Sequence, residues 1–348
     1  MVAALCVLVS HSYALTTGDS TLEPFFRSVG TSLGRMAVDV FFIASGFLIC
    51  GSMFSRGDAL RFVVARCLRV YPALIVAVVT SALVLGPLLT QLGTGQYLSH
   101  VETWSYIVKT GSIVTHIQNG LPGVFQSNPL SESVNGSLWT LRYEMSMYCL
   151  VLTYWFVAKG LRFSMRSTAA SLALASALSM LVYWFGSAYV DSHHDGLHRL
   201  LKLSAMFFLG SAAWFYKGAI PLTYGHLACA LAALVLSAFS KTVFLLVYPL
   251  AICYLVLFFV FGLKGTIAKY NQVGDYSYGV YIFSYPVQQT LVAKFPDIDV
   301  ARMVLFTCLI VLPMAIASWL LVESRALDLV PVVTQRLQAA FRRWSPNA

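Results

Sequence analysis

Long apolar runs separated by short polar segments dominate the chain. A helix crosses a bilayer core with about 20 mostly apolar residues, and windows of this kind recur along the whole sequence with no soluble block between them. The windows cover residues 1–15, 36–54, 69–92, 138–158, 167–186, 199–216, 219–238, 242–262, 275–293 and 302–322. The pattern therefore predicts an all-α integral membrane protein with about ten transmembrane helices.

Composition supports this class and excludes others. Hydrophobic residues make up 58% of the 348 positions and charged residues 11%, whereas a soluble domain carries about 25% charged residues. The net charge of +9 is scattered between apolar runs, which argues against a nucleic-acid partner. The seven cysteines mostly fall in apolar stretches and form no CxxC pair, so we expect no disulfide framework and no zinc site. We also expect no metal and no bound cofactor.

The basic residues predict the orientation of the chain, because cytoplasmic loops of membrane proteins are enriched in Lys and Arg. With ten spans, both termini fall in the cytoplasm and the segments 16–35, 93–137 and 187–198 lie outside. Most of the 23 basic residues then fall on the cytoplasmic side: Arg56, Arg61, Arg66, Arg69, Lys159, Arg162, Arg166, Lys217, Lys264, Lys269, Arg325, Arg336, Arg342 and Arg343.

The segment 93–137 is the longest stretch between predicted spans, and it mixes Gly, Pro, Asn and Ser with apolar residues. Long loops of this kind are usually functional or disordered, and the apolar content predicts a segment that lies on or re-enters the membrane. No internal repeat or soluble domain is evident. We expect one transmembrane domain, residues 1–330, to carry the activity, followed by a short basic cytoplasmic tail, residues 331–348.

Ionisable residues within predicted spans are costly and indicate function by default. His11, Asp39, Arg142 and Glu144 meet this description, and no other residue is expected at comparable depth. His11 is able to act as a general base near neutral pH, or it lies at the headgroup level. Asp39 and Glu144 either orient that imidazole and an acceptor hydroxyl, or form buried ion pairs with Arg142 or another cation.

Two further groups have weaker patterns. Arg66 and Arg69 are three residues apart, so they share a helix face and either clamp a polyanion such as a nucleotide phosphate or serve as interfacial charges. His194 and His198 have the i, i+4 spacing of a metal site, but a solvated loop is the better interpretation of this segment.

Six strings occur in an order that resembles the membrane acyltransferase-3 family, which acylates cell-surface polysaccharides, lipopolysaccharide, Nod factors and some antibiotics. The resemblance covers nearly the whole chain, and each string is only modestly specific. The strings are AALCVLVSHS, RMAVDVFFIASGFLI, RCLRVYP, NGSLWTLRYE, GDYSYGVYIFSYPV and WLLVESRAL.

The resemblance implies an O-acyltransferase of the bacterial inner membrane that moves an acetyl group from acetyl-CoA to a carbohydrate hydroxyl. His11 matches the essential histidine, with Glu144 and Asp39 as supporting catalytic residues, and Arg66 and Arg69 match the donor site. The residues expected to bind the acceptor or support the site are Ser45, Trp139, Arg142, Tyr143 and Tyr276.

The implied chemistry leaves two routes open. Direct attack of the acceptor on the thioester is favoured over a covalent route through Ser12 or Ser45, since neither serine has triad-like support. A proton-coupled carrier without acyl chemistry is the competing function class, because carboxylates and a histidine inside spans also suit a transporter. A structural membrane protein would leave the buried charges unexplained.

Three positions depart from the family pattern. Met1 stands where the family has an Arg-Gly pair, which indicates a start upstream or a shortened first helix. Arg142 replaces the usual proline beside Glu144, where it either alters the acceptor pocket or pairs with that carboxylate. Arg325 replaces the proline that follows Glu323.

Overall fold

The structure, a computed structural model, describes residues 1–113, 117–131, 133–186, 195–262 and 274–344. The described residues are 82% helical, and their loops contain an isolated bridge between Thr90 and Val124. The helices are α1 Val2–Thr17, α2 Pro24–Val29, α3 Leu33–Arg56, α4 Ala59–Thr80, α5 Gly86–Leu89, α6 Thr94–Ser99, α7 Val101–Ser112, α8 Trp139–Gly160, α9 Met165–Gly186, α10 Asp195–Tyr216, α11 Tyr224–Ser237, α12 Lys241–Leu257, α13 Ser277–Lys294, α14 Val300–Ser318, α15 Ser324–Asp328 and α16 Val330–Trp344.

The all-helical class is confirmed, and each apolar window of the sequence coincides with a helix. Five helical stretches of the described residues are long and apolar enough to cross a membrane by length and composition. They are Leu33–Arg56, Ala59–Leu89, Met165–Gly186, Lys241–Gly262 and Val300–Arg343. The count of ten spans and the cytoplasmic termini stay predictions.

Local sequence signals set several helix boundaries. The side chains of Ser32, Asp58 and Asp299 accept hydrogen bonds from backbone N–H groups in the first turns of α3, α4 and α14, as N-cap residues do. Gly57 ends α3 with φ of 64°, a conformation that suits glycine. The Gly57-Asp58 pair therefore forms the tight turn that reverses the chain between α3 and α4.

Small residues permit close packing of α3 against α10. A Cβ atom at Gly46 would overlap the carbonyl of Phe207, and one at Gly210 would overlap the carbonyl of Ile43. Ser211 Oγ donates a hydrogen bond of 3.1 Å to the Gly46 carbonyl. Small residues bring membrane helices close enough for such contacts, so α3 and α10 pack closely together, and α1 packs against both α3 and α13.

The long segment and the tail both contain helices. Within 93–137, α6 and α7 are joined to the bundle by Tyr97, whose hydroxyl donates a 2.7 Å hydrogen bond to the Ala82 carbonyl. The predicted tail forms most of α16, which packs on α4 and buries Thr334. Membrane re-entry of the first segment and the domain boundary at residue 330 are not tested by these contacts.

Candidate functional site

A cavity of about 620 Å³ lies where α1, α3, α8, α10 and α12 meet. His11, Asp39 and Lys202 contribute polar groups to it. Aromatic side chains form much of the remaining wall: Phe26, Trp139, Tyr183, Phe244, Tyr248 and Tyr281. A volume of this size accommodates a small ligand or a sugar unit, and the mixture of aromatic surface with a few convergent polar groups is typical of a binding site.

His11 lines this cavity from the last turns of α1. Its ring stands edge-on to Tyr285, with ring centroids 5.1 Å apart and an interplanar angle of 82°. The Nδ1 atom is buried and has no hydrogen-bond partner among the described residues. The imidazole is thus held by an aromatic wall, and one ring nitrogen is left for a ligand or a water molecule.

Asp39 lies in the same cavity and is 1% exposed. Its Oδ2 atom accepts a hydrogen bond of 3.0 Å from the Tyr248 hydroxyl and lies 2.9 Å from Lys202 Nζ. Its Oδ1 atom is buried without a partner among the described residues. The geometry favours the buried ion pair over direct support of His11, and it leaves one oxygen free to accept a ligand hydroxyl.

The residue before His11 is anchored from the loop. Ser10 Oγ donates a 2.5 Å hydrogen bond to Glu23 Oε2, and the Leu33 backbone N–H donates to the other oxygen. Glu23 is 2% exposed. The carboxylate therefore joins α1, the loop before α2 and the start of α3, and it fixes the wall of the cavity beside the histidine.

Arg66 and Arg69 belong to a second cluster, which does not line the cavity. Arg69 pairs with Glu323 at 2.9 Å and with Asp275. Its guanidinium also lies 5.5 Å from the centroid of the Tyr278 ring. Arg66 lies 5.9 Å from the centroid of the Tyr148 ring, and its Nε atom is buried without a partner among the described residues.

Glu144 joins this arginine cluster instead of the histidine. It accepts a hydrogen bond from the Tyr148 hydroxyl and interacts electrostatically with Arg66 and Arg69. The described hydrogen bonds connect neither Glu144 nor Asp39 to His11. The two carboxylates that were expected to act together therefore lie in different parts of the bundle.

One face of α13 connects the cavity to the arginine cluster. Tyr278 lies beside Arg69, Tyr281 lines the cavity, and Tyr285 contacts His11. These tyrosines recur at a spacing of three and four residues, which places them on one helix face. Seven residues span about 10 Å of helix, so the cluster and the histidine are about that far apart along α13.

The remaining predicted residues divide between these regions. Trp139 lines the cavity, whereas Ser45 interacts with the Tyr148 hydroxyl. Tyr276 packs edge-on against Trp319 near Arg69, with ring centroids 6.4 Å apart. The described hydrogen bonds join none of these three residues to His11.

The Arg142 substitution forms no described ion pair with Glu144. Its guanidinium instead lies 5.1 Å from the centroid of the Tyr143 ring. The Tyr143 hydroxyl donates a 3.2 Å hydrogen bond to the carbonyl of Gly196. Arg142 and Tyr143 therefore connect α8 to the start of α10, outside the residues that line the cavity.

Lys202 was missed by the sequence reasoning, and the expectation that no other ionisable residue lies as deep was wrong. Lys202 precedes the apolar string LSAMFFLG, and its contact with the buried Asp39 places it in the interior. A lysine inside a predicted span was a signal that the same rule should have identified. Glu23 lies in a loop, and no sequence pattern identified its burial.

The described residues contain no group of three or more His, Cys, Asp or Glu side chains able to hold a metal ion. His194 of the predicted histidine pair lies outside the described residues. His198 lines the cavity and packs against the Tyr183 ring, with centroids 4.2 Å apart.

Comparisons with known proteins identify a family and two relatives of this chain. The family described as an acyltransferase domain matches residues 1–322. The O-acetyl transferase of Shigella phage Sf6 is 29% identical over 345 residues, covering 94% of each chain. Nodulation protein 10 of Rhizobium leguminosarum bv. viciae is 32% identical over 149 residues, covering 42% of this chain and 40% of that protein. No solved structure matches.

Proposed function

The chain belongs to the acyltransferase-3 family, and we propose that it moves an acetyl group from acetyl-CoA to a hydroxyl of a carbohydrate, with His11 as general base. The observation that carries the assignment of His11 is its position in a cavity with aromatic walls, with one ring nitrogen unpartnered among the described residues. The relative of phage Sf6 is named an O-acetyl transferase, which supports acetyl as the transferred group.

The donor is proposed to bind at Arg66 and Arg69. Guanidinium groups bind phosphate through charge-assisted hydrogen bonds, and CoA carries several phosphate groups. The pantetheine arm is long enough to extend along the Tyr278–Tyr281–Tyr285 face of α13 and to bring the thioester to His11. In the proposed orientation the arginine cluster faces the cytoplasm, where acetyl-CoA is made, and the cavity opens on the opposite side.

The proposed step is a direct acyl transfer. His11 removes the proton from the acceptor hydroxyl as its oxygen attacks the thioester carbonyl carbon. The carbon–sulfur bond then breaks, and the imidazolium returns the proton to the CoA thiolate. Asp39 Oδ1, which is buried without a described partner, is proposed to accept a hydrogen bond from another hydroxyl of the acceptor, and Trp139, which lines the cavity, is proposed to stack on a sugar ring.

Surface glycan units of a bacterium are the proposed acceptors, and the bacterial inner membrane is the proposed location. The relatives come from a bacterium and a phage of a bacterium.

Arg66 and Glu144 are proposed to act at the donor end, because the contacts of Glu144 are with the arginine cluster. Glu144 is thus assigned to positioning these arginines and not to orienting the imidazole.

The test is release of free thiol from acetyl-CoA by the purified protein, with a bacterial glycan extract as acceptor. The parent protein should release CoA, and His11→Ala should reduce the rate by at least about 100-fold, since general base catalysis contributes about 10²–10⁴-fold. His226→Ala is the matched control, because His226 is exposed and lies outside the cavity.

Equal release by the parent and His11→Ala would remove His11 from the mechanism. A parent that binds CoA but transfers nothing to any glycan, and instead moves glycan across a vesicle membrane, would favour the carrier alternative. Arg66→Gln should raise the KM for acetyl-CoA with little change in kcat, which separates donor binding from chemistry.

A further inference from the structure

The rim of the cavity is basic, and its charge is not used by the acyl transfer described above. Arg35 and Arg199 line the cavity and are exposed, whereas the Lys202–Asp39 pair lies deeper. Asp39 is the acidic residue among the described residues that line the cavity. Among the described residues, the rim therefore presents more positive than negative charge to a ligand that enters.

Arg35 is the more informative of the two rim cations. Its described contact is with an aromatic ring, the guanidinium carbon lying 5.8 Å from the centroid of Phe26. Within the described part of the chain, Arg35 forms no ion pair with a carboxylate. Its donors are thus available to an anion, while its position in the first turn of α3 holds it at the cavity mouth.

Arg199 lies in the first turns of α10, over the ring of Trp139 at 5.2 Å from its centroid. A ligand that stacks on Trp139 therefore meets a guanidinium at the edge of the aromatic surface. Both cations belong to the side that the proposed orientation places outside the cytoplasm, where Lys and Arg are usually depleted. The positive-inside rule therefore does not explain why two arginines lie at this cavity.

The floor of the cavity carries a hydrogen-bond acceptor, whereas the rim carries cations. Asp39 is 1% exposed, and its Oδ1 atom lacks a hydrogen-bond donor among the described residues. A buried acceptor of this kind is expected to be satisfied by a donor, and hydroxyl groups of a sugar supply donors. The cavity thus combines an acceptor at the floor with cations at the rim.

We infer that the carbohydrate acceptor is anionic, with a carboxylate or phosphate group bound at the rim by Arg35 and Arg199 while a hydroxyl-bearing ring reaches Asp39 and His11. This inference rests on the proposed function, because it names the substrate class of the same cavity. Arg35 is a specificity-determining residue in this scheme, since it contacts the acceptor away from the reacting hydroxyl.

The experiment measures binding without acetyl-CoA. The full chain, in nanodiscs of neutral phosphatidylcholine, is titrated with trigalacturonate, with galactose 1-phosphate and with neutral trigalactose, and quenching of tryptophan fluorescence is recorded because Trp139 lines the cavity. We expect at least one anionic probe to bind about tenfold more tightly than the neutral one, as charge-assisted hydrogen bonds predict. The anionic probe that binds more tightly shows whether the rim recognises a carboxylate or a phosphate group.

Arg35→Gln should abolish most of this preference, Arg35→Lys should retain part of it, and added salt should weaken it. Arg27→Gln is the matched control: it removes the same charge from neighbouring α2, but Arg27 is exposed and does not line the cavity. Unchanged CoA binding by Arg35→Gln shows that this variant is folded.

Equal affinity for neutral and anionic sugars would overturn the inference, and so would equal losses in Arg35→Gln and Arg27→Gln. Binding of phosphatidylglycerol vesicles with the same dependence on Arg35, without glycan binding, would overturn it in favour of a lipid headgroup. Anionic preference in a protein that never releases CoA would keep the anionic glycan site and remove the proposed acyl transfer. The two failures are therefore distinguishable.

Discussion

Lys202 and Asp39 form an ion pair inside the helical bundle, with Nζ 2.9 Å from Oδ2. The Asp39 side chain is 1% exposed and that of Lys202 is 23% exposed. Tyr248 donates a second hydrogen bond to the same carboxylate oxygen. Three helices, α3, α10 and α12, therefore meet at one buried charge pair, which also lies at the floor of the candidate acceptor cavity.

Removing one member of this pair should destabilise the protein strongly. Lys202→Met leaves the Asp39 carboxylate uncompensated in the interior, which costs about 3 kcal/mol of unfolding free energy. Thermal unfolding in detergent, followed by tryptophan fluorescence, measures the loss. The double variant Lys202→Met/Asp39→Asn should recover a large part of the lost stability, because no charge is then buried alone. If the double variant loses as much stability as the two single variants together, the pairing is contradicted.

The close contact of α3 and α10 should be intolerant of a single methyl group. Gly46→Ala places a Cβ atom in the space of the Phe207 carbonyl, so the helices must separate, at a cost of about 1–3 kcal/mol. Gly111→Ala is the matched control, since a Cβ atom at that helical glycine meets nothing within 4 Å. We expect that control to be neutral or to stabilise by about 0.5–1 kcal/mol, and equal effects of the two changes would contradict the packing.

The sequence predicted the helices because apolar windows of spanning length are a strong local signal. It did not predict which polar residues meet, since Lys202 and Asp39 belong to helices far apart in the chain. Local spacing also misled: Trp139 and Glu144 are on one helix, yet five residues turn a helix by about 140° and advance it about 7.5 Å. Trp139 therefore faces the cavity while Glu144 contacts the arginine cluster.

If CoA binds at Arg69 as proposed, Asp275 should compete with its phosphates for that guanidinium. Asp275 is 54% exposed and pairs with that guanidinium, so Asp275→Asn should remove one of its two acidic partners, leaving Glu323, and tighten CoA binding about two- to fivefold, consistent with a partly exposed ion pair worth up to about 1 kcal/mol. Titration with CoA, monitored by calorimetry, measures the change. Asp297→Asn alters an exposed acid beyond the far end of α13 and should leave CoA affinity unchanged; weaker binding by Asp275→Asn would exclude competition at Arg69.

Glu23 should control the order of the loop between α1 and α3. Glu23→Gln loses the charge-assisted bonds from Ser10 and the Leu33 N–H, which are worth about 1.5–3 kcal/mol each. Backbone amides of residues 18–33 should then exchange hydrogen faster, while those of α3 beyond that segment stay protected.

Asp19→Asn is the control for this change. Asp19 is an exposed carboxylate in the same loop, and hydrogen bonds from Thr21 lower its pKa. Because the pKa of Asp19 is lowered, the stability that its carboxylate gives to this loop is present above pH 3.8, the usual pKa of aspartate. That stability is lost as the pH falls through the lowered pKa. At neutral pH its replacement should speed exchange only around residues 19–22, and a loop-wide effect equal to that of Glu23→Gln would contradict the anchoring role.

The ring of Tyr285 should position His11 through its shape and not through its hydroxyl. The Tyr285 edge contact holds the imidazole, and a displacement of about 1 Å at a reacting group is able to cost about 100-fold in rate. Tyr285→Ala should therefore lower kcat by about tenfold or more, and Tyr285→Phe, which keeps the ring, should stay within about threefold of the parent. CoA affinity should be unchanged in both variants, because the arginine cluster, where CoA is proposed to bind, lies about two helical turns away along α13. A rate loss in Tyr285→Phe as large as that in Tyr285→Ala would assign the effect to the hydroxyl and require a proton-transfer role for it.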